Sequence, residues 1–232
     1  MKPSIPFQNS SILPIFELRQ ILTEYAQPEK KEGMQAYMKN LYPFLGVTAT
    51  ARKAAFKQFV TYWHPQNKQD LKQWIVELWN EPEREFQYMA LEFMSKYIKW
   101  FDHSDIPFIK ELIIQKSWWD TVDMLAGSYL GNILIKHQHA LPQVIEEFTG
   151  DTNMWVNRSA IICQLKFRDQ TNTDLLEYSI LPHMNSKEFF HQKAIGWALR
   201  QYAKSNPNWV VDFVNKYPLK PLSKREALKH LK

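Results

Sequence analysis

Glycine is scarce in this sequence, with six in 232 residues. Rossmann-like and sheet-rich folds use glycine for tight turns and for close backbone approach, so its shortage speaks against both and in favour of helices. Neither GxGxxG nor GxxxxGKS/T occurs, which leaves a nucleotide-phosphate cradle without support. A single cysteine, Cys163, excludes a disulfide within the chain and fits a reducing cytoplasm. It sits in the apolar run Ile161-Ile162-Cys163 and reads as a small buried hydrophobe. The seven histidines form no HExxH and one cysteine cannot build a zinc site, so no metal and no organic cofactor are expected. No apolar run approaches the roughly 18 residues of a membrane span. The opening MKPSIPFQNSS lacks the apolar stretch of a signal peptide. The expectation is a cytoplasmic monomer with no membrane partner.

Hydrophobic residues make up 45% of the chain and charged residues 23%, the balance of a folded globular protein. Lys and Arg total 29 against 24 Asp and Glu, a formal excess of +5 that permits a polyanionic partner without demanding one. The length is enough for one sizeable core. A flexible N-terminal segment, 1–12, followed by a single helical-repeat domain, 13–232, is expected.

The rest of the chain reads as amphipathic helical segments separated by short breaks containing Pro, Asn or Asp. EREFQYMALEFM, KSWWDTVDMLAG, NMWVNRSAIICQ and KEFFHQKAIGWA share an aromatic followed by a helical apolar pattern. Their anchors, Phe86, Trp119, Trp155 and Phe190, recur at a period of about 35 residues, and TARKAAFKQF joins them with Ala51 at the anchor. Such a period predicts an all-α solenoid of stacked helix pairs, HEAT-like in style, with one helix of each pair lining a concave face. Ser117 is the expected N-cap of the KSWWDTVDMLAG helix.

Four residues after the anchors stand Ala55, Ala90, Asp123, Ser159 and Ala194. An acid thus replaces the small residue in one repeat, among the core-like neighbours Val122, Met124 and Leu125. A carboxylate there is costly unless a cation or hydrogen bonds meet it. Three after the anchors, the later repeats carry Arg158 and Lys193 where earlier ones have Ala54, Met89 and Val122. Residues at equivalent repeat positions fall near one another, so Trp119, Asp123, Arg158 and Trp197 can converge. Two readings of Asp123 remain open at this point: a structural salt bridge with Arg158, or a carboxylate that opposes a cationic sugar. At 4 Å and an effective dielectric near 20, the second is worth on the order of 4 kcal/mol before desolvation. Basic residues would hold phosphates and aromatic faces would meet sugar or cationic groups. One useful acid disfavours an ordinary glycosidase, which needs two carboxylates, unless the leaving base is already cationic.

The phrases AYMKNLYPFLGV, ELWNEPEREFQ, KSWWDTVD, NMWVNRSAI, SKEFFHQKAIGWALRQYAKSNP and LSKREALKH resemble the AlkD-like family of bacterial DNA alkylation repair glycosylases, built from HEAT-like repeats. The resemblance runs from about residue 35 to the C-terminus. It implies hydrolysis of the N-glycosidic bond of cationic alkylpurines, chiefly 3-methyladenine and 7-methylguanine, in duplex DNA, without base flipping, leaving an abasic site. It further implies that Asp123 is the catalytic carboxylate, that Trp119 and Trp197 contact the deoxyribose, and that Arg158 grips a phosphate. Tyr37 falls on a DNA-contacting tyrosine, and Lys193 joins the basic lining. Asn157 is given no role. The competing readings are a non-catalytic DNA-binding repeat protein and a peptide-binding scaffold.

Overall fold

Asparagine side chains open helix after helix in this protein. In the computed structural model, which describes residues 8, 9 and 11–231, the Asn67 side chain accepts from the Asp70 N–H, Asn153 from Trp155, Asn172 from Leu175 and Asn206 from Trp209. Each satisfies an N–H that the first turn of a helix leaves without a partner. These are the polar breaks that punctuate the sequence, and the helices they start are all-α architecture in two compact units, Met1–Trp100 and Phe101–Lys232. Of the expected flexible segment 1–12, residues 1–7 and 10 lie outside the described residues.

The first unit holds α1 (Ile15–Glu24), α2 (Pro28–Tyr37), α3 (Ala49–Phe59), α4 (Lys68–Asn80) and α5 (Arg84–Lys96). A two-residue parallel bridge, Gln8–Asn9 against Trp63–His64, adds a trace of strand that the helical reading does not contain. α4 packs on α5, and α3 packs on both α1 and α5. Phe59, Trp74 and Phe93 meet edge to face at the centre, with ring centroids 5.5–6.4 Å apart.

The second unit holds α6 (Ile106–Ile114), α7 (Trp119–Met124), α8 (Gly131–Lys136), α9 (Leu141–Thr149), α10 (Met154–Ile162), α11 (Thr173–Ile180), α12 (Phe189–Tyr202), α13 (Pro207–Lys216) and α14 (Pro221–Ala227). α9 packs on α10, α10 on α12 and α12 on α14, the succession expected of stacked helix pairs. Their shared core includes Ile161, Ile162, Ile195, Leu199, Val210 and Phe213. Cys163, the next residue in the chain after Ile162, is fully buried, and burial pushes its thiol up to about 12, so it behaves as the inert hydrophobe its neighbours suggest.

The repeat is visible in its joints. Gln87 donates its side-chain amide to the carbonyls of Leu78, Trp79 and Glu81 at the end of α4. Asn157 does the same for Phe148, Thr149 and Asp151 at the end of α9. Each carboxamide on the second helix of a pair thus ties up the carbonyls that the first helix leaves without partners.

Candidate functional site

The site is assembled from α7, α10 and α12. α7 starts abruptly. Ser117 is not its N-cap: the Ser117 hydroxyl donates back to the carbonyls of Ile113 and Ile114 at 2.6 and 2.9 Å, closing α6 instead. Trp118 takes the cap position with extended backbone and no side-chain cap bond. The alternation of direction in that extended step sends the two tryptophans to different surroundings. Trp118 packs against Trp155 and Phe190, with centroids 5.6 and 5.1 Å away, so it and not Trp119 is the packing counterpart of the later repeat anchors. Trp119, half-buried, is left to line a cleft.

α7 runs into a π-helical stretch, Leu125–Leu130, and then into α8. A π turn adds a residue to the turn, so the faces before and after it are out of register. The second half reaches the end of α10 so closely that a Cβ at Gly131 would lie 2.5 Å from the Cys163 carbonyl oxygen. The first half points Asp123 at the middle of the same helix.

There Asp123 meets Arg158. Arg158 Nε donates to one carboxylate oxygen at 2.8 Å and Nη2 to the other at 2.9 Å, the two-pronged geometry that matches a guanidinium to a carboxylate. Nη1 donates to the Phe190 carbonyl on α12. The Arg158 side chain is 1% exposed and that of Asp123 20%. Burial raises the Asp123 carboxyl above its ordinary value, Arg158 pulls it down through hydrogen bonds and charge, Asp120 adds a small upward push, and the net direction is up. Arg158, expected to face a phosphate, is thus enclosed, with all three guanidinium nitrogens donating inside the protein.

The remaining residues form a cleft of about 210 Å³ lined by Trp119, Arg158, Phe189, Phe190, Lys193 and Trp197. Trp197, on α12, has the Arg158 guanidinium 5.3 Å and the Lys193 ammonium 5.5 Å from its ring centre. Lys193 also pairs with Glu226 of α14 at 3.1 Å and keeps 22% of its side-chain surface exposed. Phe189, the first residue of α12, is 57% exposed at the cleft. It escaped the sequence reading, although the doubled aromatic of KEFF was its signal: one ring packs inward with Trp155 at 4.8 Å and the other stays out. Tyr37 lies in the other unit, at the end of α2, 70% exposed.

Behind the cleft, His191 anchors α12 to α10. Its Nε2 lies 3.3 Å from the Met154 carbonyl, which can only accept, so Nε2 carries the proton and Nδ1 accepts from the Ser186 hydroxyl at 3.0 Å. Burial, with repulsion from His183 and Arg158, lowers its pKa to about 4 and keeps it neutral.

Among the described residues, no group of three or more His, Cys, Asp or Glu is arranged to hold a metal ion, and no helix is long and apolar enough to cross a membrane. The site therefore offers an oriented carboxylate, two indoles, an exposed phenyl ring and a lysine.

Comparison with known proteins agrees over nearly the whole chain. Residues 18–231 match the family model described as DNA alkylation repair enzyme. The chain is also similar to a solved structure, a predicted DNA alkylation repair enzyme from Enterococcus faecalis, with 34% sequence identity and a TM-score of 0.82 over 98% of this chain and 99% of that one. No curated protein matches.

Proposed function

Since the chain belongs to the DNA alkylation repair enzyme family, we propose that it is a glycosylase that hydrolyses the N-glycosidic bond of cationic alkylpurines in duplex DNA, with Asp123 as its catalytic carboxylate. The observation that carries this reading is the fixed Asp123 carboxylate, clasped on both oxygens by a buried arginine and still 20% exposed, on the helix that supplies a tryptophan to an aromatic cleft. Asp123 does not itself line the cleft, but its partner Arg158 does, so the pair joins the carboxylate to the wall that holds Trp119 and Trp197.

A purine alkylated at N3 or N7 already carries positive charge, so cleavage of the bond from sugar C1′ to the base releases a neutral purine and needs no general acid. The electron pair leaves with the base and C1′ becomes an oxocarbenium-like cation. Asp123 opposes that charge, and water adds to C1′ with loss of a proton to solvent, leaving an abasic site. Up to about 4 kcal/mol of attraction, if realised only in the transition state, corresponds to a rate factor on the order of a thousand. Arg158 acts through Asp123: it holds the carboxylate ionised and aimed. Trp197 already faces two protein cations, so its part is that of a wall for the sugar more than a receptor for the new cation. Trp119 and Phe189 close the other sides.

The size of the cleft favours a lesion that stays in the duplex. At about 210 Å³ it is below the roughly 300–1,000 Å³ of ordinary small-molecule pockets. A sugar edge fits such a space better than an extruded nucleotide. Lys193 and Tyr37 are then backbone contacts.

The test is release of free base from duplex DNA carrying 7-methylguanine, with single-turnover rates measured against the spontaneous background. Excision above background is expected. Salt-dependent duplex binding with no excision would replace this reading by a non-catalytic DNA-binding repeat protein.

A further inference from the structure

The positive charge of the protein is concentrated at one end of the chain. From Lys216 to Lys232 there are six Lys or Arg and a single acid, Glu226, a net five positive charges that equals the formal excess of the whole chain. The one acid is already engaged: its carboxylate takes Lys193 at 3.1 Å and Arg200 at 2.6 Å, both from α12. Lys216 is likewise engaged, with Glu177 of α11. Lys220, Lys224 and Arg225 have no ion pair or side-chain hydrogen bond among the described residues. Lys224, Arg225 and Lys229 are exposed, and Lys220 is half-buried.

This charge is held rigidly and next to the cleft. α14 lies on α12 so tightly that a Cβ at Gly196 would stand 2.4 Å from Glu226 Cβ and 3.1 Å from the Ser223 carbonyl oxygen. The Ser223 hydroxyl, fully buried, donates to the Gln192 carbonyl at 3.0 Å. Gly196 directly precedes Trp197, and Lys193, which reaches Glu226, lines the cleft itself. A cluster of like charges is self-repelling, and Glu226, whose charge also acts on Lys229, is already shared between Lys193 and Arg200.

We infer that the outer surface of α14 and its two flanks, carried by Lys224 and Arg225 on the helix, Lys220 just before it and Lys229 just after it, is a second phosphate-binding strip for duplex DNA, beside the cleft and independent of the lesion. The inference rests on duplex DNA being the partner. Unpaired lysine and arginine side chains on a fixed helix hold backbone phosphates with release of counterions and carry no base information. The strip supplies general duplex affinity and register along the backbone, while the cleft supplies the chemistry.

The experiment is binding of an undamaged duplex at several salt concentrations by the wild type, by Lys224→Ala/Arg225→Ala, and by Lys136→Ala/Lys204→Ala, which removes the same charge elsewhere in the unit. The strip predicts that the first variant loses affinity and lowers the slope of log K against log salt by about 1 to 2, while the second keeps the wild-type slope and both melt as the wild type does. A wild-type slope in the Lys224→Ala/Arg225→Ala protein, or an equal fall in both variants, overturns the strip while leaving the glycosylase reading intact. A wild type that binds no duplex at any salt overturns both.

Discussion

Arg158 and Asp123, 35 residues apart, are joined by two parallel hydrogen bonds of 2.8 and 2.9 Å, and the arginine is the more buried partner of the two. That asymmetry decides which role each can have. A guanidinium with 1% exposure and every nitrogen donating internally is a fixture. The carboxylate it holds retains a lone pair on each oxygen and keeps 20% of its side-chain surface exposed.

Asp123→Asn is expected to lose excision by a factor on the order of a thousand while keeping duplex affinity, because the charge acts on the transition state and not on the bound ground state. The variant also loses about 1–3 kcal/mol of stability, since the charge-assisted bonds weaken and Arg158 stays buried without a counter-ion. Single-turnover release of 7-methylguanine beside a urea melt separates the two effects. A folded Asn variant that excises at the wild-type rate makes Asp123 a packing residue.

Arg158→Ala is expected to leave the salt dependence of DNA binding unchanged and to move the acid limb of the excision rate to higher pH. Burial already raises the Asp123 carboxyl, and the substitution removes both downward influences, leaving the burial and Asp120 contributions that favour the protonated, inactive form. Arg158→Lys rescues little, because an ammonium cannot span both oxygens. The opposite pattern, a salt slope lowered by about 1 with an unmoved acid limb, returns Arg158 to the phosphate-gripping role that the family resemblance implied.

The site was legible in the sequence as far as the repeat could carry it. A period of 35 residues places position 123 beside position 158, and the acid among small residues marks the pair. Orientation was not legible, because it is settled within a single turn. Ser117 closes the helix before it and not the one after, so Trp118 goes inward and Trp119 outward, one residue away from the anchor alignment. The π stretch at Leu125–Leu130 has no pattern that hydrophobic periodicity reports. Asn157, beside Arg158, was given no role, yet three carbonyls of the α9 end depend on it. The polar breaks between helices were readable as breaks, and Asn67, Asn153, Asn172 and Asn206 turn out to be their helix caps.

Gly196→Ala is expected to destabilise the protein by about 1–3 kcal/mol, the usual cost of forcing a methyl into a filled space. Its Cβ meets the Glu226 side chain and the Ser223 carbonyl of α14. The flexible outer part of Glu226 can yield, but its Cβ and the Ser223 carbonyl belong to the helix body, so α14 must move as a unit. That movement strains the Lys193–Glu226 pair at the edge of the cleft. A urea midpoint equal to that of the wild type means that α14 is seated less firmly than its contacts indicate.

Stability is expected to fall as pH drops from about 6.5 toward 4, with His191 as a principal cause. Burial, helped by His183 and Arg158, lowers its pKa to about 4 in the folded state, against the ordinary histidine value of 6.5. Above 6.5 it is neutral both folded and unfolded, and its contribution is intact. Between 6.5 and 4 the unfolded chain takes up a proton that the folded chain refuses, so unfolding is favoured progressively, and the loss is complete below the folded value. His183, whose ring lies 4.7 Å away and whose pKa is also lowered by burial, adds to the same slope. Asp123 opposes it: its raised folded pKa means that the folded state takes up a proton first as pH falls. The three are separated by difference. His191→Gln retains a donor toward Met154 but loses the packing of the buried ring, so it is less stable than the wild type at pH 7, and because it cannot titrate its stability changes less between pH 6.5 and 4. Urea midpoints of the two proteins across that range should converge toward the acid end. Parallel curves would show that His191 does not carry the pH dependence and would leave it to His183.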